Sequence, residues 1–227
     1  MKYSLIIPIY NEIRTLPSLV NKLIKLEKSI EIIIVDDGSD DGTEEFLNKL
    51  KQFSIIRNCV NLGKGAAVKK GVQAATNQNI ILMDGDLEID IDEIPFLISQ
   101  YDNDSIDVLV GKRWENYKNS DKDLNLIGNF FINFIFNIFF NSNFSDVLCC
   151  VKVLKKYKFE SLDIFSDNFA IEVETMAKLV MQNAKIKEIK VKYQRRTIRE
   201  GKKLKLTDSW NIIITIIKIR FFNLKIF

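Results

Sequence analysis

Three carboxylates close a short apolar run in Ile80-Ile81-Leu82-Met83-Asp84-Gly85-Asp86-Leu87-Glu88. An apolar run of that length reads as a buried parallel strand, and α/β sheets place their ligands where such strands open at the carboxyl end. If the backbone stays extended, residues two apart share a face, so Asp84, Asp86 and Glu88 would point one way. Their mutual repulsion must be offset by solvent or by a cation. Hard dications such as Mg²⁺ or Mn²⁺ take carboxylate oxygens and commonly bridge to substrate phosphates. The plainer alternative is a strand that runs into an acidic loop.

Further polar clusters follow other apolar runs. Residues 3–9 lead into Tyr10-Asn11-Glu12, and Ile32-Ile33-Ile34-Val35 leads into Asp36-Asp37-Gly38-Ser39-Asp40-Asp41-Gly42-Thr43. Asp41 or Thr43 is placed to cap the next helix. In Asn61-Leu62-Gly63-Lys64-Gly65-Ala66-Ala67, the glycines allow close backbone approach, and a helix starting there would offer N–H groups to an anion. An ordinary strand-to-helix turn explains the same residues.

Stepping from strand end to strand end defines the elements that must hold these groups. Short apolar strands at 3–9, 32–35, 53–56, 80–83 and 106–110 alternate with helical patterns through about Lys28, through Leu50, from Gly65 onward and over roughly 92–101. That alternation predicts βαβ units and an α/β fold: a mostly parallel, Rossmann-like sheet flanked by helices, with one crevice along its carboxyl edge. A chain of 227 residues accommodates one large α/β domain with a small appendage.

The composition excludes several chemistries. The absence of histidine rules out histidine bases, histidine metal sites and Ser-His-Asp triads. Cys59, Cys149 and Cys150 lack metal-ligand spacing, which predicts a reduced, cytoplasmic setting. The start of the chain is already strand-like, which predicts no signal peptide. A net charge of +3 is too small to argue for nucleic acid, but residues 178–227 are rich in Lys and Arg, which suits phosphates or an anionic membrane surface.

Beyond Gly111-Lys112-Arg113 the character changes. Residues 124–145 carry no charged side chain, and Asn125, Asn129, Asn133, Asn137 and Asn141 recur every four residues. As a helix this gives a polar stripe beside a broad Phe/Ile face. A spanning helix needs about 20 predominantly apolar residues, and the amides oppose insertion. The pattern predicts a helix over 124–140 that lies on a membrane or lines an acyl-chain groove, with an oligomer or core face as the alternative. Strand-like pieces are predicted at 147–152 and Ile186–Tyr193, and a helix over 169–183 with Glu172 and Glu174 near its start. The run Gln194-Arg195-Arg196-Thr197-Ile198-Arg199-Glu200-Gly201-Lys202-Lys203 reads as a phosphate-binding loop or as a solvated charge run. Residues 207–227 form an apolar, basic helix suited to an anionic lipid interface, appended to a domain spanning 1–206.

The motifs Pro8-Ile9-Tyr10-Asn11-Glu12, Val35-Asp36-Asp37-Gly38-Ser39, Asn61-x-Gly63-x-Gly65-x-Ala67 and Met83-Asp84-Gly85-Asp86-Leu87 together resemble the family 2, GT-A-fold inverting glycosyltransferases. More narrowly, the chain is similar to the dolichyl- or polyprenyl-phosphate sugar synthases, and Gly111-x-Arg113, Asp146 and Tyr193…Gly201-x-Lys203-Leu204 extend the likeness over roughly residues 3–222. The resemblance implies that Pro8, Tyr10, Glu12 and Asp37 hold the nucleotide base and ribose, with Gly63 and Gly65 in the same nucleotide-sugar site. It implies that Asp84 and Asp86 bind Mg²⁺ or Mn²⁺ and that Glu88 is a further metal ligand. Arg113, Arg195 or Arg196, and Lys203 match basic positions near the donor and acceptor phosphates; Asp86, Arg113 and Lys203 are the catalytic candidates. Cys149-Cys150-Val151-Lys152 departs from the relatives' Gly-containing run, which places the local acceptor backbone in question.

The resemblance implies transfer of a hexose from GDP-mannose first, or UDP-glucose second, to a polyprenyl or dolichyl phosphate on the cytoplasmic face of a membrane. A lipid phosphate is already an anion and needs no strong base. A relative that glycosylates a hydroxyl would need one, with Asp146, Glu172 or Glu174 as candidates. A catalytically silent sugar-nucleotide-binding subunit, and a separate membrane partner, stay open as alternatives.

Overall fold

The computed structural model describes residues 2–114, 124–196 and 206–222. Its centre is one seven-stranded sheet built from β1 (Tyr3–Ile9), β2 (Glu31–Asp36), β3 (Ser54–Arg57), β4 (Asn79–Leu82), β5 (Val108–Lys112), β6 (Lys152–Lys155) and β7 (Ile186–Lys190). The strand order is β3-β2-β1-β4-β6-β5-β7, and β6 runs antiparallel to both neighbours in an otherwise parallel sheet. Alternate residues of β1 and β2 enter opposite cores: Ile6, Ile33 and Val35 pack on one face, and Leu5, Ile7, Ile32 and Ile34 on the other. Burial on both faces is why these strands read as unbroken apolar runs.

The connecting helices are α1 (Leu16–Leu23), α2 (Thr43–Leu47), α3 (Lys64–Ala74), α4 (Ile94–Asn103), α5 (Leu124–Phe140), α6 (Lys156–Glu160), α7 (Ile171–Met181) and α8 (Leu206–Phe222). The order places β1 beside β4, so the chain ends of these two strands flank the point where the sheet's winding reverses. Open α/β sheets bind ligands there.

Several local expectations are corrected. The strand expected over 147–152 is confined to Lys152–Lys155, because Cys149 N–H donates to Asp146 O (3.3 Å) and turns the chain before it reaches the sheet. β7 stops at Lys190 rather than Tyr193, although Tyr193 still bridges to Ile89. Gly42, at φ +95°, is the N-cap of α2; Thr43 spends its hydroxyl accepting Glu12 N–H (3.2 Å), whereas Asp41 Oδ1 accepts the Thr43 N–H at the start of the helix (3.1 Å). Asp84–Glu88 is a turn with Leu87 at φ +60°, not an extended segment, so a period of two does not govern where its carboxylates point.

Helix α5 divides its faces differently from a helix that only floats on lipid. Ile132 and the fully buried Phe136 join the core shared with α7 and α8, where Ile212, Ile216 and Ile219 are also buried. The amide stripe is neither lipid- nor solvent-directed at its centre: Asn133 and Asn137 both donate to Phe144 O, at 2.6 and 2.9 Å. Asn137 Oδ1 in turn accepts Phe144 N–H and Asn133 Oδ1 accepts Val147 N–H. The amides thus fold the 141–147 loop against the helix and satisfy its buried backbone. On the outer side Phe131, Phe134, Ile138, Trp210, Ile214, Phe221 and Phe222 remain exposed. No helix among the described residues is long and apolar enough to cross a membrane.

Replacing Phe136 with Ala should therefore cost about 3–5 kcal/mol of unfolding free energy in urea titrations, whereas Phe134→Ala should stay within about 0.5 kcal/mol. Equal, small effects would show that α5 is not part of the folded core.

Candidate active site

The loop after β1 forms the first wall of the crevice. Asn11, at φ +49°, donates its N–H to Ser39 Oγ (2.8 Å), and Glu12 N–H is held by Thr43, which places the Glu12 carboxylate inward and nearly buried. After β2, both oxygens of Asp37 are engaged by the 58–63 segment: Oδ1 accepts from Asn58 Nδ2 (2.7 Å) and Leu62 N–H (3.0 Å), and Oδ2 from Gly63 N–H (2.8 Å). Asp37 therefore fixes the second wall.

Gly63 and Gly65 are required by the protein's own backbone. A Cβ at Gly63 would lie 2.3 Å from Asp167 O, and one at Gly65 would lie 2.3 Å from Ser166 O. Ala66 N–H already donates to Asp167 O (3.2 Å), so one of the amides expected to face an anion at the start of α3 is in use.

The acidic turn after β4 distributes its carboxylates to different cations. Asp84 Oδ2 receives Lys64 Nζ at 2.8 Å. Asp86 Oδ2 lies 3.3 Å from Arg196 Nη2, and Asp86 Oδ1 accepts Glu88 N–H (3.0 Å). Glu88 Oε1 accepts Arg196 N–H (3.0 Å). The Arg196 guanidinium also forms a two-pronged pair with Glu12, at 2.9 and 3.1 Å, and so ties the end of β1 to the end of β4. Burial, then the charges of Asp84 and Glu88, push the Asp86 carboxyl up from its ordinary 3.8 to about 6 despite Arg196. No group of three His, Cys, Asp or Glu side chains is gathered for a metal ion among the described residues. The donor chemistry nevertheless suits a hard dication: Asp84 and Asp86 supply carboxylate oxygens at a place where negative charge is in excess. Glu88 is less available, since its carboxylate anchors the Arg196 backbone.

Arg113, just past β5, is locked by Asp146. Its Nε and Nη2 donate to the two carboxylate oxygens at 2.8 Å each, and its own N–H reaches Asp146 Oδ2 at 3.0 Å. The guanidinium lies 4.5 Å from the Trp114 ring and 5.5 Å from Tyr193. Burial works against its charge, yet Asp146 holds its pKa well above the ordinary arginine value.

Two functional-looking lysines had no assigned role in the sequence. Lys64 Nζ bridges Asp84 and Glu172, each at 2.8 Å, and Lys152, fully buried, pairs with the other Glu172 oxygen and donates to Cys149 O (2.7 Å). Burial alone would raise the Glu172 carboxyl, but Lys152 and Lys64 hold it below its ordinary range. The signal that could have found this chain was a lysine set among Val151, Val153 and Leu154 in an otherwise apolar run. Glu174 is wholly buried, accepting Phe165 N–H (2.9 Å) and Ser166 N–H (2.7 Å) beside Lys178.

A cleft of about 570 Å³ connects these groups. Pro8, Tyr10, Glu12, Asp37, Gly63, Asp84, Asp86, Glu88, Arg113 and Arg196 line one part, and Asn129, Ile132, Leu148, Phe169, Asp208, Ser209 and Ile212 continue it toward α5 and α8. Of the two adjacent arginines, Arg196 faces the cleft, while Arg195 lies near Tyr193, close enough to act on its phenol. Gly65 sits beneath the wall, and Lys203 lies outside the described residues, as does the rest of 197–205.

Residues 4–163 match the pattern of glycosyl transferase family 2. The chain belongs to that family. It is 24% identical to dodecaprenyl-phosphate galacturonate synthase of Rhizobium johnstonii, over 98% of this chain and 67% of that protein. It is 36% identical to undecaprenyl-phosphate 4-deoxy-4-formamido-L-arabinose transferase of Salmonella choleraesuis, over 44% of this chain and only 34% of that protein. Glucosyl-3-phosphoglycerate synthase from Mycobacterium tuberculosis, solved in complex with Mn²⁺, uridine diphosphate and phosphoglyceric acid, superposes with a TM-score of 0.73 at 16% identity, covering 96% of this chain and 78% of that one. The architecture is thus the GT-A fold, as the motifs imply.

The Asp86 environment makes a prediction for the metal-free protein. Between pH 3.8 and about 6 the folded protein holds the Asp86 proton more tightly than the unfolded chain does, so this group's contribution to stability falls as pH rises through that window. In EDTA, Asp86→Asn should match the unmodified protein near pH 4 and exceed it by about 1–3 kcal/mol at pH 7 in chemical denaturation. A variant no more stable at pH 7 would show that Arg196 fully offsets the repulsion.

Proposed function

We propose that this chain transfers a sugar from a nucleoside diphosphate sugar to a polyprenyl or dolichyl phosphate at a membrane surface, with inversion at the anomeric carbon. The observation that carries this reading is the continuity of the cleft, which runs from the acidic turn at Asp84 and Asp86 to the apolar side chains of Ile132, Leu148, Phe169 and Ile212, with Asn129, Asp208 and Ser209 at the same end. An anionic head suits the first end, and the start of a hydrocarbon chain would pack against those four apolar side chains. The names of the Rhizobium and Salmonella relatives, each a polyprenyl-phosphate sugar enzyme, support the acceptor class.

Pro8, Tyr10, Glu12 and Asp37 would border the base and ribose. Asp84 and Asp86 would hold Mg²⁺ or Mn²⁺, with Glu88 behind them, and a bound dication would offset the charge that develops on the departing diphosphate. Arg196, presently shared by Glu12 and Asp86, is placed to meet the donor phosphates, and Arg113, with Lys203, the acceptor phosphate. Orienting two anions against each other is the protein's main task in such a displacement.

A hydroxyl acceptor is the second reading, and the state of its candidate bases weighs against it. Asp146 is paired two-pronged with Arg113, Glu172 with two lysines, and Glu174 with two backbone amides and Lys178. Each of these carboxylates is already committed to cations or backbone amides of the protein itself. For the donor, motif resemblance puts GDP-mannose ahead of UDP-glucose, whereas the structural neighbour was solved with uridine diphosphate, so both belong in the assay.

Radiolabelled GDP-mannose and UDP-glucose, incubated separately with a polyprenyl phosphate in detergent and Mn²⁺, should yield labelled lipid from one donor. Label should be lost with EDTA and fall at least about 100-fold in Asp86→Asn. Nucleotide binding without lipid labelling from either donor would point to another acceptor or to the silent-subunit alternative. The outer face of α5 and α8, with exposed Lys218 and Arg220 beside its aromatic residues, should bind anionic vesicles. Co-sedimentation with phosphatidylglycerol vesicles should drop several-fold in Phe134→Glu/Ile138→Glu with melting temperature unchanged; undiminished sedimentation would refute that face as the contact.

A further inference from the structure

Asp84 does not stand alone at the base of the cleft. It ends a linear chain of alternating charge, Asp84–Lys64–Glu172–Lys152, in which Lys64 reaches both carboxylates at 2.8 Å and each Glu172 oxygen has its own ammonium partner. Lys152 is fully buried and Glu172 is 8% exposed. Desolvating this many charges is costly, and buried ion pairs are often no more stabilising than apolar residues of similar volume, so the arrangement is weak evidence for a purely stabilising role. Lys64 itself is nearly enclosed, with its ammonium 5.7 Å from the Phe169 ring as well.

We propose that Glu172 is a positioning residue for Asp84, acting through Lys64, and that it allows Asp84 to exchange an internal cation for a divalent one. This rests on the reading that Asp84 holds a metal. When Asp84 directs its charge to a dication, Lys64 loses one of its two carboxylates and is left as a buried ammonium next to added positive charge. Glu172 is the anion that keeps Lys64 satisfied through that exchange. Without Glu172, the Lys64 charge falls wholly on Asp84 and competes with the metal. Lys152 acts in the opposite sense, because it draws on the same Glu172 carboxylate and so reduces what is left for Lys64. Its second acceptor, Cys149 O at 2.7 Å, keeps Lys152 bonded whichever way Glu172 is shared.

The two neighbours of Asp84 in this chain therefore have effects of opposite sign on metal binding. That separates positioning from simple damage to the fold, which would weaken binding in both cases.

The experiment is titration of the full chain with Mn²⁺ alone, read by the loss of the free-ion electron paramagnetic resonance signal, for the unmodified protein, Glu172→Gln, Lys152→Met and the double variant. Glu172→Gln should weaken Mn²⁺ binding roughly tenfold, the scale seen when a group behind a metal ligand is lost, and Lys152→Met should leave it unchanged or tighten it. The double variant removes both buried charges, so it keeps the fold if Glu172→Gln alone does not, and it should bind Mn²⁺ as weakly as Glu172→Gln. In an Asp84→Asn background the effect of Glu172→Gln should vanish. Unaltered affinity in both variants that lack Glu172, losses of similar size in Glu172→Gln and Lys152→Met, or a Glu172→Gln effect that persists without Asp84 would each overturn the proposal while leaving the metal reading intact. Failure of the unmodified protein to bind Mn²⁺ would overturn both.

Discussion

Crowded negative charge is the constraint on which the rest of the crevice depends. Glu12, Asp84, Asp86 and Glu88 converge where β1 and β4 end, and the protein offsets their repulsion with cations brought from elsewhere in the chain. Lys64 comes from the start of α3 and Arg196 from beyond β7. The offset is incomplete, since Asp86 still holds its proton more tightly than an ordinary aspartate. A site that is under-neutralised at rest is prepared to take up positive charge, and the same fields that hold Lys64 and Arg196 in place would act on an arriving dication.

The opposite end of the cleft is governed by burial. Helix α5 has to serve a core, a loop and an exterior with one uncharged sequence. Phe136 and Ile132 face the core, Asn133 and Asn137 satisfy the 141–147 backbone, and Phe131, Phe134 and Ile138 are left outside. Amides are suited to the middle task because each offers a donor and an acceptor without a charge that would have to be desolvated. The loop they hold carries Asp146, which in turn immobilises Arg113. The helix and the arginine are thus parts of one mechanical unit.

Much of this was legible in the residues. The mostly parallel sheet, its crevice and the gathering of Glu12, Asp37, Asp84 and Asp86 follow from apolar runs that end in polar clusters, while Arg113 was signalled only by the family resemblance. What stayed hidden depends on contacts between distant segments. Asp84, Asp86 and Glu88 do line one cleft, but through a turn with Leu87 at φ +60° rather than through the period of two of an extended strand. The glycines at 63 and 65 looked like a ligand cradle, but it is the carbonyls of Ser166 and Asp167 that come too close for a side chain. No local pattern announces that Lys152 and Glu172, 20 positions apart, form a buried pair. The antiparallel β6, which carries Lys152 into the sheet, was equally invisible, because a four-residue strand has too little periodicity to show its direction.

The Arg196–Glu12 pair spans 184 residues of sequence. Ribosomal synthesis proceeds from the amino end, so the carboxylates of β1 and β4 are made long before the guanidinium that neutralises them. Local β1–β2 and β1–β4 pairing can proceed first, while the crevice between them carries unrelieved repulsion. Closure of contacts this distant is slow compared with neighbouring pairings. A nascent chain halted before residue 196 would have the sheet edge without the clasp that fastens it.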